Sequence, residues 1–184
     1  MATWPGVLED LVRTRRGALV GYAALLTGDL ASAEDVVHDA IVKSFSRGRG
    51  FSHVNQADAY VRRAIVSVFI DKARRDERFR KAAPALAAED ARADAEPSVD
   101  LDRALAALSP QLRLVVVLRF ADDLTVPQIA ERSGLADGTV KRYLHEARAQ
   151  LALAYGADVA AGLDHEPSVV VVAHKGASKE RTAP

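Results

Sequence analysis

Cysteine is missing altogether from this chain of 184 residues, which excludes a disulfide framework, a thiolate zinc site and a cysteine nucleophile. The five histidines (His38, His53, His145, His165, His174) lie too far apart for a local metal motif. No stretch approaches the roughly 20 apolar residues that cross a bilayer, and the start, MATWPGVLEDLVRTRR, lacks a basic segment followed by an apolar run. A cytoplasmic protein without membrane insertion is expected. There is no GxxxxGK[ST] loop, Ser-His-Asp set or paired carboxylate pattern, so neither an enzyme nor a cofactor is expected. Net charge is also missing, but the zero is a sum over blocks of opposite sign. Residues 1–81 carry 14 basic and 10 acidic side chains, residues 82–102 carry 1 and 6, and residues 103–155 carry 7 and 5. Two basic segments thus flank an acidic one, and local basic stripes can neutralise phosphates where a fold concentrates them.

Alternation of apolar and polar residues is nearly absent, so helices dominate until the last thirty residues. The first helix is predicted from Pro5 to a stop at Gly28, burying Leu8, Leu11, Val12, Leu19, Val20, Ala23 and Leu26. Asp29 caps a second helix that runs to Phe45 and buries Ala33, Val37, Ala40 and Ile41. After the loop RGRGFSHVNQ, Asn55 followed by Asp58 resembles a helix start, and Val61, Ala64, Ile65 and Val68 turn inward. The Ala-rich, acidic stretch 82–98 reads as a flexible tether that leaves the segments on either side without a fixed mutual orientation. Beyond it, Leu101, Leu105 and Leu108 share a face, and Ser109-Pro110 opens the next helix. Thr125 with Gln128 forms a capping-box pattern, Gly134 ends that short helix, and a final amphipathic helix buries Val140, Leu144, Ala147 and Leu151. Short helix, glycine turn and amphipathic helix make a helix-turn-helix. The fold expected is all-α, with two small helical domains: residues 1–81 (three helices) and 99–155 (helix-turn-helix), joined by the acidic tether. Residues 156–184 form an extension read as disordered, apart from the strand-like Val169 to Val172.

The strings YAALLTGDLASAEDVVHDAIVKSF, DAYVRRAIVSVFIDKARR and LSPQLRLVVVLRFADDLTVPQIAERSGLADGTVKRYLHEARAQL, in this order, resemble an extracytoplasmic-function sigma factor of bacterial RNA polymerase over about residues 8 to 152. The resemblance implies that the first domain is sigma region 2, which binds the polymerase clamp helices and opens the minus-ten element. It implies that the second is sigma region 4, which reads the minus-thirty-five element. The implied partners are core RNA polymerase, promoter DNA as duplex and as melted strand, and an anti-sigma factor, although relatives with C-terminal extensions are thought to manage without one.

Asp35, His38, Asp39 and Val42 stand at i, i+3, i+4 and i+7 on one face of the second helix. The resemblance maps them onto the clamp-binding surface, with His38 where the family usually has Gln; a solvated face and a metal set are the other readings. Opening DNA costs roughly 1.4 kcal/mol per base-pair step, so ten steps need on the order of 14 kcal/mol. Without nucleotide hydrolysis that energy must come from capturing unpaired bases on aromatic and polar groups beside a basic track. Such a set lies between the second and third helices: Arg47, Arg49, Phe51, His53 and Asn55, then Tyr60, Arg62, Arg63, Lys72, Arg74 and Arg75. Phe51 is either a stacking platform or a plug on the core. Ser67, where the family often has Asn, is included by resemblance. The basic run that ends this helix also reads as a plain charged terminus.

On the final helix Lys141, Arg142, His145 and Glu146 are placed for base edges, and Thr139 and Arg148 for phosphate. Two departures from the family stand out. Ala136 occupies a position usually held by a capping Ser or Thr, so the cap is missing or shifted to Asp137, and Glu146 replaces a basic residue in many relatives. The competing reading is a stand-alone helix-turn-helix regulator that binds duplex without polymerase.

Overall fold

The structure, a computed structural model, describes residues 4–46, 50–82 and 100–155. The tether beyond Ala82, the extension 156–184, and the loop positions Arg47 and Arg49 lie outside the described residues. Within them every regular element is an α-helix: α1 (Trp4–Thr27), α2 (Leu30–Phe45), α3 (Val54–Ala82), α4 (Asp100–Ala106), α5 (Pro110–Phe120), α6 (Val126–Ser133) and α7 (Asp137–Tyr155).

Local signals set most of the boundaries. Asp29 accepts the backbone N–H of Ser32 at 2.7 Å, which ties down one of the orphan donors at the start of α2. Gln128 closes back on Thr125, accepting its backbone N–H at 2.8 Å, and Gly134 ends α6 in the left-handed conformation. The start of α3 differs from expectation. The helix begins at Val54, and the orphan N–H of Gln56 is met by His53 Nδ1, while the Gln56 side chain accepts from Ser52 N. Asn55, already inside the helix, instead accepts a hydrogen bond from Arg15 on α1.

Helices α1, α2 and α3 bury the expected stripes, with Leu11, Leu19, Leu26, Val61 and Ile65 fully buried. Val12 is the exception, at 41% exposure. It lies on the solvent edge of the stripe, one turn before Arg16, whose guanidinium reaches Glu34 on α2. Tyr22, three residues after Leu19 and four before Leu26, takes a buried place in that stripe instead.

The second unit does not stand apart from the first. A single buried cluster runs from Val7 and Leu11 on α1 through Val66 and Phe69 on α3 to Val115, Leu118, Ile129 and Val140. A smaller cluster, Leu105, Leu108, Leu112, Val116, Ala147 and Leu151, joins α4, α5 and α7. Helix α5 is buried at every position from Leu112 to Leu118, wider than one amphipathic stripe, because α1 covers one side and α7 the other. The sequence-based expectation of independently oriented units therefore gives way to a packed pair: the apolar surface of α5 exceeds what α4, α6 and α7 cover.

Arg113 sits inside this buried stretch. Its guanidinium donates to the carbonyls of Leu105 (2.8 Å), Ala106 (2.9 Å) and Leu108 (3.0 Å) at the end of α4, and of Leu26 (3.2 Å) near the end of α1. Helix C-termini carry unpaired carbonyls and negative partial charge, so one cation satisfies two such ends. Gly28 makes room for it: with φ +86°, a Cβ there would lie 2.5 Å from Arg113 Nη1.

Two glycine substitutions on or beside α1 should move stability in opposite directions. Gly28→Ala should cost at least about 2 kcal/mol, combining left-handed strain with displacement of a guanidinium held by four carbonyls. Gly21→Ala, in helical conformation with open space around its Cβ position, should gain about 0.5–1 kcal/mol. Denaturant titration of the two variants checks the pair; equal signs would remove the packing argument.

Candidate nucleic-acid and protein interfaces

The acidic face of α2 is exposed as the spacing requires, with Asp35, His38 and Asp39 open and Val42 at 51% exposure. Asp39 approaches Lys72 on α3 at 3.6 Å, and Lys43 reaches both Asp71 (3.6 Å) and Ser67 Oγ (3.0 Å). These contacts draw the carboxylates and lysines of α2 and α3 into one alternating belt. Between the helices runs a shallow groove lined by Asp39, Val42, Lys43, Val68, Lys72 and Arg75. An exposed valine within a ring of charges offers a partner helix an apolar anchor and a polar rim. Among the described residues no group of three or more His, Asp or Glu is placed to hold a metal ion.

The loop before α3 is organised by aromatics. Phe51 is 5% exposed, its ring 5.1 Å from Phe45 and 5.5 Å from Tyr60. Of its two readings it takes the plug, because both neighbours pack against it and no free face is left for a base. Tyr60 is half-buried and lines a cavity with Gly50, Phe51, Gln56, Ala59 and Arg63. That cavity has one aromatic wall and one exposed guanidinium, which suits a flat polar ring near a negative charge.

Helix α3 divides the expected basic track. Tyr60, Arg63, Ser67 and Arg74 recur at helical spacing along one side, whereas Arg62 lies about 200° around the axis from Tyr60. There Arg62 pairs with Asp58 at 3.3 Å and lies over the Tyr22 ring at 5.1 Å. It is thus turned toward α1 and away from the cavity. Arg75 is exposed but belongs to the α2–α3 groove, as does Lys72. Arg74 reaches the carbonyl of Ser133, at the turn of the helix-turn-helix, at 3.5 Å. His53 is exposed but has one ring nitrogen engaged in starting α3, and Asn55 is exposed beside Arg15. Arg15 was not singled out from sequence; only its place in the basic run Arg13, Arg15, Arg16 hinted at it.

The helix-turn-helix forms as expected. On α7, Lys141, Arg142, His145, Glu146 and Arg148 are exposed and Thr139 is half-buried, while Val140, Ala147 and Leu151 hold the helix to the core. Lys141, His145 and Arg148 follow one line at i, i+4 and i+7; Arg142 and Glu146 follow a second, about 100° away. Arg142 stacks over Tyr143 at 5.1 Å, which orders a guanidinium toward solvent. Glu146 accepts a hydrogen bond from Gln150. The carbonyl of Ala136 accepts from Thr139 and Val140, so Ala136 holds the cap position and contributes no side-chain acceptor. Asp137 stands in the first turn, where its charge favours the positive end of the helix.

Sequence reasoning missed the polar contact between the two units. Tyr22 donates its phenol to Asp122 Oδ2 at 2.9 Å, and Arg132 donates to the same oxygen at 3.2 Å. Burial pushes the Tyr22 phenol well above its ordinary range, and the adjacent Asp122 carboxylate adds to the shift, so the phenol stays protonated and remains a donor. The only sequence signal is a tyrosine at an apolar-stripe position.

Comparison with known proteins agrees with this architecture. Residues 11–79 match the sequence profile described as Sigma-70 region 2, and residues 98–151 match that described as Sigma-70, region 4. The chain is 35% identical over 150 residues to the RNA polymerase sigma-E factor of Streptomyces avermitilis, covering 78% of this chain and 82% of that protein. It is 33% identical over 150 residues to the ECF RNA polymerase sigma factor SigL of Mycobacterium tuberculosis, covering 77% of this chain and 84% of that one. Among solved structures it resembles the sigma factor RpoE of Bartonella quintana, in a co-crystal with the anti-sigma factor NepR. There the TM-score is 0.56 at 23% identity, over 85% of this chain and 98% of that chain, which bears on the fold alone.

The vacant cap of α7 yields a local test. Ala136→Ser should raise stability by about 1 kcal/mol by supplying the missing acceptor, and Ala136→Val should give no such gain. Thermal unfolding of both variants distinguishes a capping effect from a general tolerance of the site.

Proposed function

Since the chain belongs to the sigma-70 family, among the extracytoplasmic-function RNA polymerase sigma factors, we propose that its two helical units divide promoter recognition between them. A sigma factor directs core RNA polymerase to promoters and starts transcription there. One observation carries this reading: a single chain matches region 2 and then region 4, and extends over four-fifths of a 35% identical sigma factor. A stand-alone helix-turn-helix regulator has no need of the first unit.

In the proposed division, residues 1–81 act as region 2 and residues 99–155 as region 4. The exposed face of Asp35, His38, Asp39 and Val42 meets the polymerase clamp, where two exposed carboxylates beside an apolar anchor suit a basic partner helix. The Tyr60–Arg63 cavity takes an unpaired base of the minus-ten element, with Arg63, Ser67 and Arg74 along the strand. His53 and Asn55 edge the same site; Phe51 shapes it from beneath by holding the loop to Phe45. Arg62 acts in DNA binding only when α3 is released from its present neighbours. On α7 the line of Lys141, His145 and Arg148 and the line of Arg142 and Glu146 enter the minus-thirty-five major groove, an acceptor at Glu146 suiting cytosine N4. The protein has no reaction of its own in this scheme, because polymerase makes the bonds. It works in the cytoplasm beside core enzyme, consistent with the lack, among the described residues, of any helix long and apolar enough to cross a membrane.

Reconstitution with core RNA polymerase tests the scheme. Run-off transcription from a cognate promoter should require both proteins, and Arg142→Ala should change which minus-thirty-five sequences are used, a base contact contributing roughly 1–3 kcal/mol of discrimination. Arg148→Ala should weaken all promoters alike and flatten the salt dependence. Identical sequence preferences in wild type and both variants would remove α7 as the reader.

The clamp face has its own test. Asp35→Arg combined with Asp39→Arg should reduce association with core polymerase at least tenfold while leaving helical content unchanged, since both carboxylates are exposed. Undiminished co-purification with core enzyme would return the face to solvent.

A further inference from the structure

At the start of α3, beside the Tyr60 cavity, three polar side chains have their acceptor atoms taken up by the protein itself. Asn55 Oδ1 accepts from Arg15 Nη2 at 3.0 Å, Gln56 Oε1 accepts the backbone N–H of Ser52 at 2.9 Å, and His53 Nδ1 accepts that of Gln56 at 3.3 Å. A guanidinium and a backbone N–H can only donate, so both amide oxygens must face them and both NH2 groups turn away. A neutral imidazole whose Nδ1 accepts carries its proton on Nε2. All three side chains are exposed, and Gln56 lines the cavity together with Ala59, Tyr60 and Arg63. What they hold out to solvent is a set of N–H donors.

Arg15 brings the charge. It stands four residues after Leu11 and four before Leu19, both fully buried, so it occupies a place in the inward stripe of α1. An apolar side chain there would extend the core; instead the stripe is interrupted, and the seven residues from Val12 to Ala18 are all exposed. The neighbouring arginines meet carboxylates, Arg13 at Asp10 and Arg16 at Glu34. Arg15 meets a neutral amide, and the residues three and four places from it on α1 (Leu11, Val12, Ala18 and Leu19) include no acid. Its positive charge is therefore left uncompensated at the foot of α3.

We infer that Arg15, with the N–H groups of Asn55, Gln56 and His53, binds a backbone phosphate of the melted strand whose base enters the Tyr60 cavity. The nucleic-acid face then continues from α3 onto α1. The inference rests on the sigma-factor reading and deepens it: His53 and Asn55 gain a phosphate as their partner, and Arg15 and Gln56 join the site. Its first support is chemical. Base edges mix donors with acceptors, whereas a phosphate offers only acceptors and a negative charge, which is the complement of a donor set with one free cation. Its second support is spacing. Asn55, Ala59 and Arg63 follow one line of α3 at i, i+4 and i+8, and the last two line the cavity. Along the axis Asn55 and Arg63 are about 12 Å apart, the rise of three to four stacked nucleotides at about 3.4 Å each and of fewer in an extended strand. A strand with one base at Tyr60 thus carries its phosphates past both arginines. Phosphate contacts fix register and base contacts select sequence, so Arg15 holds the strand while the cavity takes the base.

The competing role for Arg15 is a staple between α1 and α3, which needs a donor but no charge. Arg15→Gln keeps a donor for Asn55 and removes the charge; Arg15→Lys keeps the charge. Holoenzyme assembled from the full chain and core RNA polymerase is titrated, over a series of salt concentrations, with promoter DNA whose strands are mismatched across the minus-ten element. Arg15→Gln should weaken binding roughly threefold to tenfold and lower the slope of log affinity against log salt by about 0.7, the share of one phosphate on a single strand. The loss should be equal for any bases placed in the mismatched stretch, and Arg15→Lys should keep most of the slope. A methylphosphonate, which removes one backbone charge, should find one linkage along the strand that weakens wild type and leaves Arg15→Gln unaffected. Arg15→Ala takes the place of Arg15→Gln should the latter lose helical content. A charge-free variant with the wild-type slope would overturn the phosphate site. So would a lysine variant as weak as the glutamine one, or a scan in which every linkage affects wild type and variant alike. If wild-type holoenzyme does not prefer promoter to unrelated DNA, the sigma-factor reading itself falls. If it does and Arg15→Gln keeps the full slope, only the phosphate site falls.

Discussion

A buried guanidinium holds the architecture together. Arg113 is 7% exposed, and its charge is accommodated by four backbone carbonyls, two in the last turn of α4, one in the turn that follows it and one near the end of α1. Carbonyls at a helix end run short of intrahelical donors, and an unmet buried acceptor costs about 1–3 kcal/mol. One side chain therefore satisfies several groups and fixes where three helices converge. Gly28 is part of the same arrangement, since its missing Cβ is what lets the guanidinium approach Leu26. Its left-handed turn also delivers Asp29 to the start of α2, so that helix and the inter-unit contact share an origin.

Much of the fold was legible because the deciding signals act within a few residues. Asp29, Thr125 with Gln128 and Gly134 each work on backbone groups within one turn, so their letters alone indicate helix ends. The start of α3 shows the limit of that reasoning. Asn55 is the better capping residue by type, yet His53 takes the task, since Asn55 is engaged with Arg15 forty residues away in sequence. Long-range pairings of this kind leave no local pattern. Tyr22 reaches Asp122 100 residues away, and Arg113 reaches the Leu26 carbonyl 87 residues away, so neither contact across the units could be found by spacing. The run Leu112 to Leu118 did carry a hint, because an arginine inside continuous apolar sequence must meet something when the run is buried on all sides.

The candidate site was legible in composition and less so in geometry. Listing basic and aromatic residues between the second and third helices gathers neighbouring side chains, but a helix of 29 residues presents several faces. Arg62 and Arg63 are adjacent in sequence and point to different neighbours: one to Asp58 and Tyr22, the other to the cavity beside Tyr60. Lys72 and Arg75 belong to the groove beside α2. The same division gives the groove beside α2 and the cavity beside Tyr60 separate sets of charges. Ser67 joins them, since its hydroxyl accepts from Lys43 of the groove. Phe51 links the two levels, since a ring needed for packing also sets the shape of the polar cavity above it.

The reach of Arg113 across the chain bears on synthesis. Leu26 and its donor are separated by 87 residues, which take about 4–17 s to translate at 5–20 residues per second. Helix α3 is complete only at Ala82, 31 residues before Arg113, so for the last part of that interval, about 2–6 s, α1, α2 and α3 have all been made while the donor to the Leu26 carbonyl has not. The N-terminal half is thus made before its cover, and α5 supplies that cover.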